Sequence, residues 1–245
     1  MDIRISGSGA VTPGEYDAVT VSGSCRIEGP VRCEKLLCSG SVHGQGDITC
    51  TGDARISGSI HMEGTLQAQN AFISGSFHGG ELRAQGEAHL SGAANLSGGI
   101  SGGDVRISGS TKLGGDLEGE TVRIAGVLRT PGLVNGETVE ISPSGSEIGA
   151  VGGSKITVKR ADTVVHPGFF ARLFRWLFGY KERKNETLTV RDGIEGDEIE
   201  LEYTACPRVS GKRVVIGPGC SIGEVCYTEE CTVSPEAEVG TCSKA

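Results

Sequence analysis

The stretch Ile73-Ser74-Gly75-Ser76-Phe77 is answered 17 residues later by Leu90-Ser91-Gly92-Ala93-Ala94, and again by Ile107-Ser108-Gly109-Ser110-Thr111. An aliphatic residue, Ser, then Gly also stands at Ile5-Ser6-Gly7, Val21-Ser22-Gly23, Cys38-Ser39-Gly40 and Ile56-Ser57-Gly58. Ile124-Ala125-Gly126 and Ile141-Ser142-Pro143 carry the series on. Successive steps from Ile5 are 16, 17, 18, 17, 17, 17, 17 and 17 residues. A sustained period of this size marks a repeat architecture in which each repeat is one structural unit.

The apolar residues keep phase with the tripeptide. Counting its aliphatic residue as position 0, apolar side chains recur at positions 4, 6, 10 and 15. Examples are Val42, Ile60 and Phe77, then Ile27 and Met62, then Ile48 and Leu66, then Leu36 and Val105. Alternation over short runs is the pattern of strands with one buried face. Gly at positions 2 and 8 marks corners, where the chain bends or another backbone approaches closely. One turn of about 17 residues therefore predicts three short strands. Turns stacked about 4.8 Å apart in parallel share one narrow core. A narrow core agrees with an aromatic content of only 4% and with 40 Gly among 245 residues.

The phase returns late in the chain. Val151, Gly153, Ile156 and Val158 match Ile194, Gly196, Ile199 and Leu201, and then Val209, Gly211, Val214 and Ile216. The step from Val158 to Leu201 is 43 residues, one turn plus an insertion of 26. The expected organisation is one all-β domain, with solenoid turns over 1–160 and 188–245 and an inserted loop over 161–187. The insertion holds His166-Pro167-Gly168 and then Phe169, Phe170, Ala171, Arg172, Leu173, Phe174, Arg175, Trp176, Leu177 and Phe178. At helical spacing Phe170, Leu173, Phe174 and Leu177 share a face, with Arg172 and Arg175 opposite. The spacing predicts a short basic amphipathic α-helix that either lies in a membrane interface, packs on its own solenoid, or docks on a partner.

The net charge of −8 makes the chain a poor non-specific nucleic-acid binder. No basic–apolar leader opens the sequence and no apolar run reaches bilayer length. Nine Cys without disulfide-scaffold density point to a reducing, cytoplasmic setting. Cys25, Cys33, Cys38, Cys50, Cys220, Cys226 and Cys231 fall on inward positions and read as small core hydrophobes. His43, His61 and His78 fall on one outward position. They read as part of a weakly basic solvated stripe, with a metal-binding or pH-sensing ladder as the sharper alternative. No P-loop, dinucleotide fingerprint or nucleophile elbow is present, so no cofactor and no catalytic residue is expected.

The Ile-Ser-Gly turns, Val134-Asn135-Gly136-Glu137, Glu200-Leu201-Glu202-Tyr203-Thr204 and the run Val215 to Gly223 resemble the bactofilins, polymer-forming bacterial cytoskeletal proteins. The likeness covers nearly the whole chain. It is closest to the longer Gram-positive variant, which carries an inserted apolar–basic helix. The resemblance implies a right-handed parallel β-helix and nucleotide-independent filaments formed end to end, often at the inner membrane surface. It also implies partners among cell-envelope enzymes or a paralogous bactofilin. Members of that family commonly have disordered tails, some with an N-terminal membrane peptide. Neither is seen here, which places any membrane contact on 169–178.

The residue reading agrees on self-assembly, because an uncapped solenoid offers strand edges to another copy. The expected contact residues are Ile3, Ile5, Val11 and Val19 at one end, and Val233, Ala237 and Val239 at the other. Two alternatives stand beside it. One is a binding module that recruits cell-envelope proteins through flat faces. The other is a hexapeptide-repeat acyltransferase, which Ile216-Gly217-Pro218-Gly219-Cys220-Ser221-Ile222-Gly223 resembles. Against the enzyme stand the 17-residue period and the lack of a His with an acidic partner.

Overall fold

In the tripeptide, two successive N–H groups converge on one carbonyl of the turn below. Ser39 N and Gly40 N donate to Val21 O at 2.8 and 3.2 Å, and Ser74 N and Gly75 N donate to Ile56 O at 2.8 and 3.2 Å. The same pair of bonds recurs from Ser22-Gly23 up to Ala125-Gly126. This double contact turns the chain at one corner and leaves no orphan donor there.

The structure is a computed structural model and describes residues 1–160 and 187–245. These residues form a parallel β-solenoid of 24 strands, β1 to β24 in chain order, joined in one sheet. A representative turn is β6 (Ser41–Gly44), β7 (Ile48–Cys50) and β8 (Asp53–Ile56). The next turn repeats it as β9 (Ser59–Met62), β10 (Leu66–Ala68) and β11 (Asn70–Ile73). The first residue of the tripeptide stands in register from turn to turn. The column runs Ile5, Val21, Cys38, Ile56, Ile73, Leu90, Ile107, Ile124, Ile141, Val158, Leu201, Ile216 and Val233. The solenoid has about 13 turns.

The pairing of β20 (Glu147–Val158) with β21 (Leu188–Leu201) places Val158 directly against Leu201. The stretches before and after the insertion thus belong to one stack. The expected helix over 169–178 lies outside the described residues.

Every second residue of the short strands points into a single apolar core. Phe77 is the bulkiest of its fully buried side chains. It fits because Gly79, two residues on and facing the same way, has no side chain. A Cβ there would come within 3.1 Å of Phe77 Cζ and 3.3 Å of Met62 Cγ. The lumen thus trades volume between neighbouring positions, and close packing leaves no space for a second ring.

Corner glycines are required for contact, not for a left-handed conformation. Only Gly14, Gly46, Gly145 and Gly219 have positive φ among the described glycines. A Cβ on Gly23, Gly40, Gly58, Gly75, Gly92, Gly109 or Gly126 would lie 1.9–2.0 Å from the carbonyl oxygen of the glycine one turn below. The column is a backbone-on-backbone ladder that admits no side chain. An added Cβ at Gly7 meets nothing within 4 Å.

Gly75→Ala is expected to lower the thermal midpoint, with a cost of about 1–3 kcal/mol from overpacking. Gly7→Ala should stay within about 0.5 kcal/mol of wild type. Thermal unfolding followed by circular dichroism separates the two, and equal losses would show that the ladder contact is not the reason for the glycines.

Candidate assembly surfaces at the first and last turns

Strand β1 (Ile3–Ile5) pairs only with β3 (Gly14–Val21), and β2 (Ser8–Val11) only with β4 (Ser24–Ile27), among the described residues. Their other edges carry unpaired backbone groups. Ile3 and Ile5 are half-buried and rest on the core. The first turn is tied down at its margin, where the Met1 amino group donates to Asp17 Oδ2 at 2.6 Å and Tyr16 Oη donates to Thr12 O at 2.8 Å. Val11 and Val19, expected at the same surface, are fully buried. Val19 lies one turn in, covered by Ile3, whereas Val11 stands on the outermost strand β2 with its side chain buried.

At the other side, β24 (Glu238–Lys244) pairs only with β23 (Ser221–Val233) among the described residues. Val233 is 40% exposed, and Ala237 and Val239 are half-buried against the core. Sequence reasoning placed all three on this surface, and the structure brings them together on the last two turns.

The flanks of the solenoid have a different chemistry. Arg106 donates to both carboxylate oxygens of Asp104, and Arg123 bridges Asp104 and Glu140. Arg213 sits between Glu198 and Glu229, one partner on each neighbouring turn. Asp104 is half-buried and the other groups are substantially exposed, so the pairs add little to stability. Together they charge much of the flanks, where Leu133 and Val215 are the exposed large apolar side chains among the described residues of the interior turns.

His43, His61 and His78 stand in register on β6, β9 and β12 (Ser76–Gly79), as the spacing predicts. Ring centroids are 6.0 Å apart for His43–His61 and 4.4 Å for His61–His78, the latter nearly parallel at 3°. Stacked faces direct the ring nitrogens sideways, away from a shared point. No group of three or more His, Cys, Asp or Glu is placed to hold a metal among the described residues.

The cysteines divide by burial. Cys25, Cys33, Cys38, Cys50, Cys206 and Cys220 are buried, in line with their reading as core hydrophobes where the sequence singled them out. Burial pushes the thiols of Cys38 and Cys206 up to about 11. The Cys50 thiol beside it, together with burial, pushes Cys33 up as well. Cys226 is a correction. It was expected on the inward position, but Val225 occupies that position, in register with the buried Val209, and Cys226 faces outward beside Ser210 and Ser243. The turn from Ile216 to Val233 keeps 17 residues, but the inward residue comes one place early, at Val225, and the register irregularity between Tyr227 and Glu230 restores the count, so a strict count from Ile216 lands on Cys226. Sequence reasoning also passed over Cys242, which stands in register with Val225 one turn further on. Counting forward from the core valines rather than from the tripeptide would have found it.

The chain is similar over part of its length to two curated proteins. It is 38% identical over 94 residues to the uncharacterized protein YhbF of Bacillus subtilis (strain 168), covering 38% of this chain and 33% of that protein. It is 47% identical over 51 residues to the uncharacterized protein YhbE of the same organism, covering 21% of this chain and 22% of that protein. The chain thus spans about a third and a fifth of the lengths of these curated relatives. No protein-family model and no solved structure matches it.

The raised thiols set an alkaline limit. A folded-state value of about 11 against an ordinary 9.0 means that Cys38 adds stability that is fully present below pH 9. That stability is lost as pH rises towards 11, because the unfolded chain releases the proton first. The thermal midpoint is expected to fall over this window, and more steeply in wild type than in Cys38→Ala. Parallel pH profiles for the two proteins would refute the linkage.

Proposed function

We propose that this chain is a structural protein whose solenoids stack end to end into nucleotide-independent filaments or scaffolds. The observation that carries the reading is the pair of end turns, where half-buried Ile3 and Ile5 on one side and Val233 and Val239 on the other adjoin strand edges paired on one side only. Parallel pairing across such an edge would continue the ladder and remove apolar surface from water, at roughly 25 cal/mol per Å².

Gly7 supports the same reading. It carries the ladder residue of the turns above it, yet nothing in this chain's described residues presses on it. A second copy stacked beneath would supply the carbonyl that makes glycine necessary there. The resemblance to bactofilins implies the same assembly.

Charged flanks that project outward along every turn fit a scaffold to which other cell-envelope proteins attach. Membrane association, at the inner face of the cell membrane, rests on the 169–178 sequence. Among the described residues no helix is long and apolar enough to cross a membrane.

Negative-stain microscopy of the purified, nucleotide-free protein is expected to show filaments a few nanometres wide. Ile3→Asp combined with Ile5→Asp should abolish or shorten them while leaving the far-ultraviolet spectrum intact. Gly7→Ala should shorten them without lowering the thermal midpoint. A uniform population of monomers or closed trimers in wild type would overturn the filament reading.

The membrane contact has its own test. Wild-type protein should co-sediment with anionic liposomes, and replacement of Phe170, Leu173 and Phe174 by Ser should release it. Burial of each such side chain contributes about 1.5–3 kcal/mol. Wild type left in the supernatant would remove the idea.

A further inference from the structure

Cys231 on β23 stands in register with the buried Val214, and Cys242 on β24 with the buried Val225. Both side chains therefore continue wall positions of the core, from two different sides of the turn. Their sulfurs meet at 3.5 Å, with the Cys242 thiol donating to Cys231 Sγ. Cys242 is exposed and Cys231 is half-buried. Six other inward cysteines are sealed in the core, and Cys226 has Ser243 and Glu224 as its neighbours. Cys231 and Cys242 are thus two thiols in contact that solvent also reaches.

We propose that Cys231 and Cys242 form a redox-active dithiol that closes to an intrachain disulfide by exchange with a low-molecular-weight disulfide. Exposed Cys242 meets the small molecule first. It gives its proton to solvent, and its thiolate attacks one sulfur of the small disulfide. That sulfur–sulfur bond breaks, and the first small thiolate leaves and takes up a proton. Cys231 then loses its proton and attacks the Cys242 sulfur of the mixed disulfide, expelling the second small thiolate, which is protonated in turn. Two protein thiols are oxidised by two electrons and one small disulfide is reduced to two thiols.

The order of attack follows from the surroundings. Burial and the neighbouring Cys242 push the Cys231 thiol up to about 11, so it stays protonated near neutral pH and is the weaker first nucleophile. Once Cys242 carries the mixed disulfide, the second step is intramolecular, and contact between the sulfurs offsets the low thiolate fraction. Closure brings the sulfurs from 3.5 Å to about 2.05 Å. A strand paired on one side only can make that shift. The bond fastens β24 to β23 across the turn 234–237. The reaction needs the last turn uncovered, as it is in the unassembled chain and in the outermost copy of a stack.

The test uses the full chain, oxidised glutathione as the small disulfide, and alkylation of the remaining thiols. Cleavage after glutamate separates the two cysteines, since Glu236 and Glu238 lie between them. The expected result is a non-reduced peptide pair joining Cys231 to Cys242, and seven alkylated thiols in place of nine. Cys231→Ser should instead retain glutathione on Cys242, and Cys226→Ser should form the same link as wild type. Amide exchange over 238–244 should slow several-fold on oxidation and recover with dithiothreitol. Stable glutathione on wild-type Cys242, a link between two copies, a link that vanishes in Cys226→Ser, or unchanged exchange in the oxidised protein would each overturn the proposal.

Discussion

Parallel turns about 4.8 Å apart leave no room between backbones at a sharp corner. That single spacing governs the rest of the molecule. It forces Ser N–H and Gly N–H onto one carbonyl of the turn below, and it strips the side chain from the third residue of the tripeptide. Pro143 shows the same constraint relaxing. There the series loses its second donor, and Ser142 N alone reaches Ile124 O at 2.7 Å. Once the corner is set, the other columns follow, because each strand of a turn must lie directly over its counterpart. Leu66 stacks on Ile48 and Leu82 on Leu66 for that reason.

A stack held this way is nearly one-dimensional. Each turn contacts only its neighbours, so the interior turns are covered on both sides and the end turns on one. The chemistry of the surface reinforces the contrast. Along the flanks, Arg–carboxylate pairs such as Arg213 with Glu198 and Glu229 hold water and contribute little to stability. At the end turns the same columns stop on Ile3, Ile5, Val233 and Val239, where the core itself comes to the surface. On the flanks Leu133 and Val215 are exposed apolar side chains, but the core cross-section itself reaches the surface at the end turns.

Much of this was legible in residue order. The period placed Ile5 and Val21 in register, recognised Val158 and Leu201 as neighbours across 43 residues, and aligned His43, His61 and His78. It also placed Ile3 and Ile5 on the first turn and Val233, Ala237 and Val239 on the last two. Depth was less legible. Val11 and Val19 were grouped with the end surface, yet a turn lies over Val19, and a periodic pattern carries no mark of which turn is outermost. Cys226 was assigned inward because a strict count from Ile216 ignores the register irregularity inside the next turn, which brings Val225 to the wall one residue early.

The sequence by itself determined the period, the parallel stacking and the narrow apolar core, because each depends on spacing along the chain and the pattern repeats often enough to fix its own phase. It also singled out glycine at the corner. Only the tertiary structure decided why glycine stands there: the clash is with a carbonyl one turn away, a contact that no local rule contains. The meeting of Cys231 with Cys242 was decided in the same way. Their separation along the chain matches no repeat, and the sulfurs meet because Cys242 on the last turn and Cys231 on the turn below it continue two different wall columns.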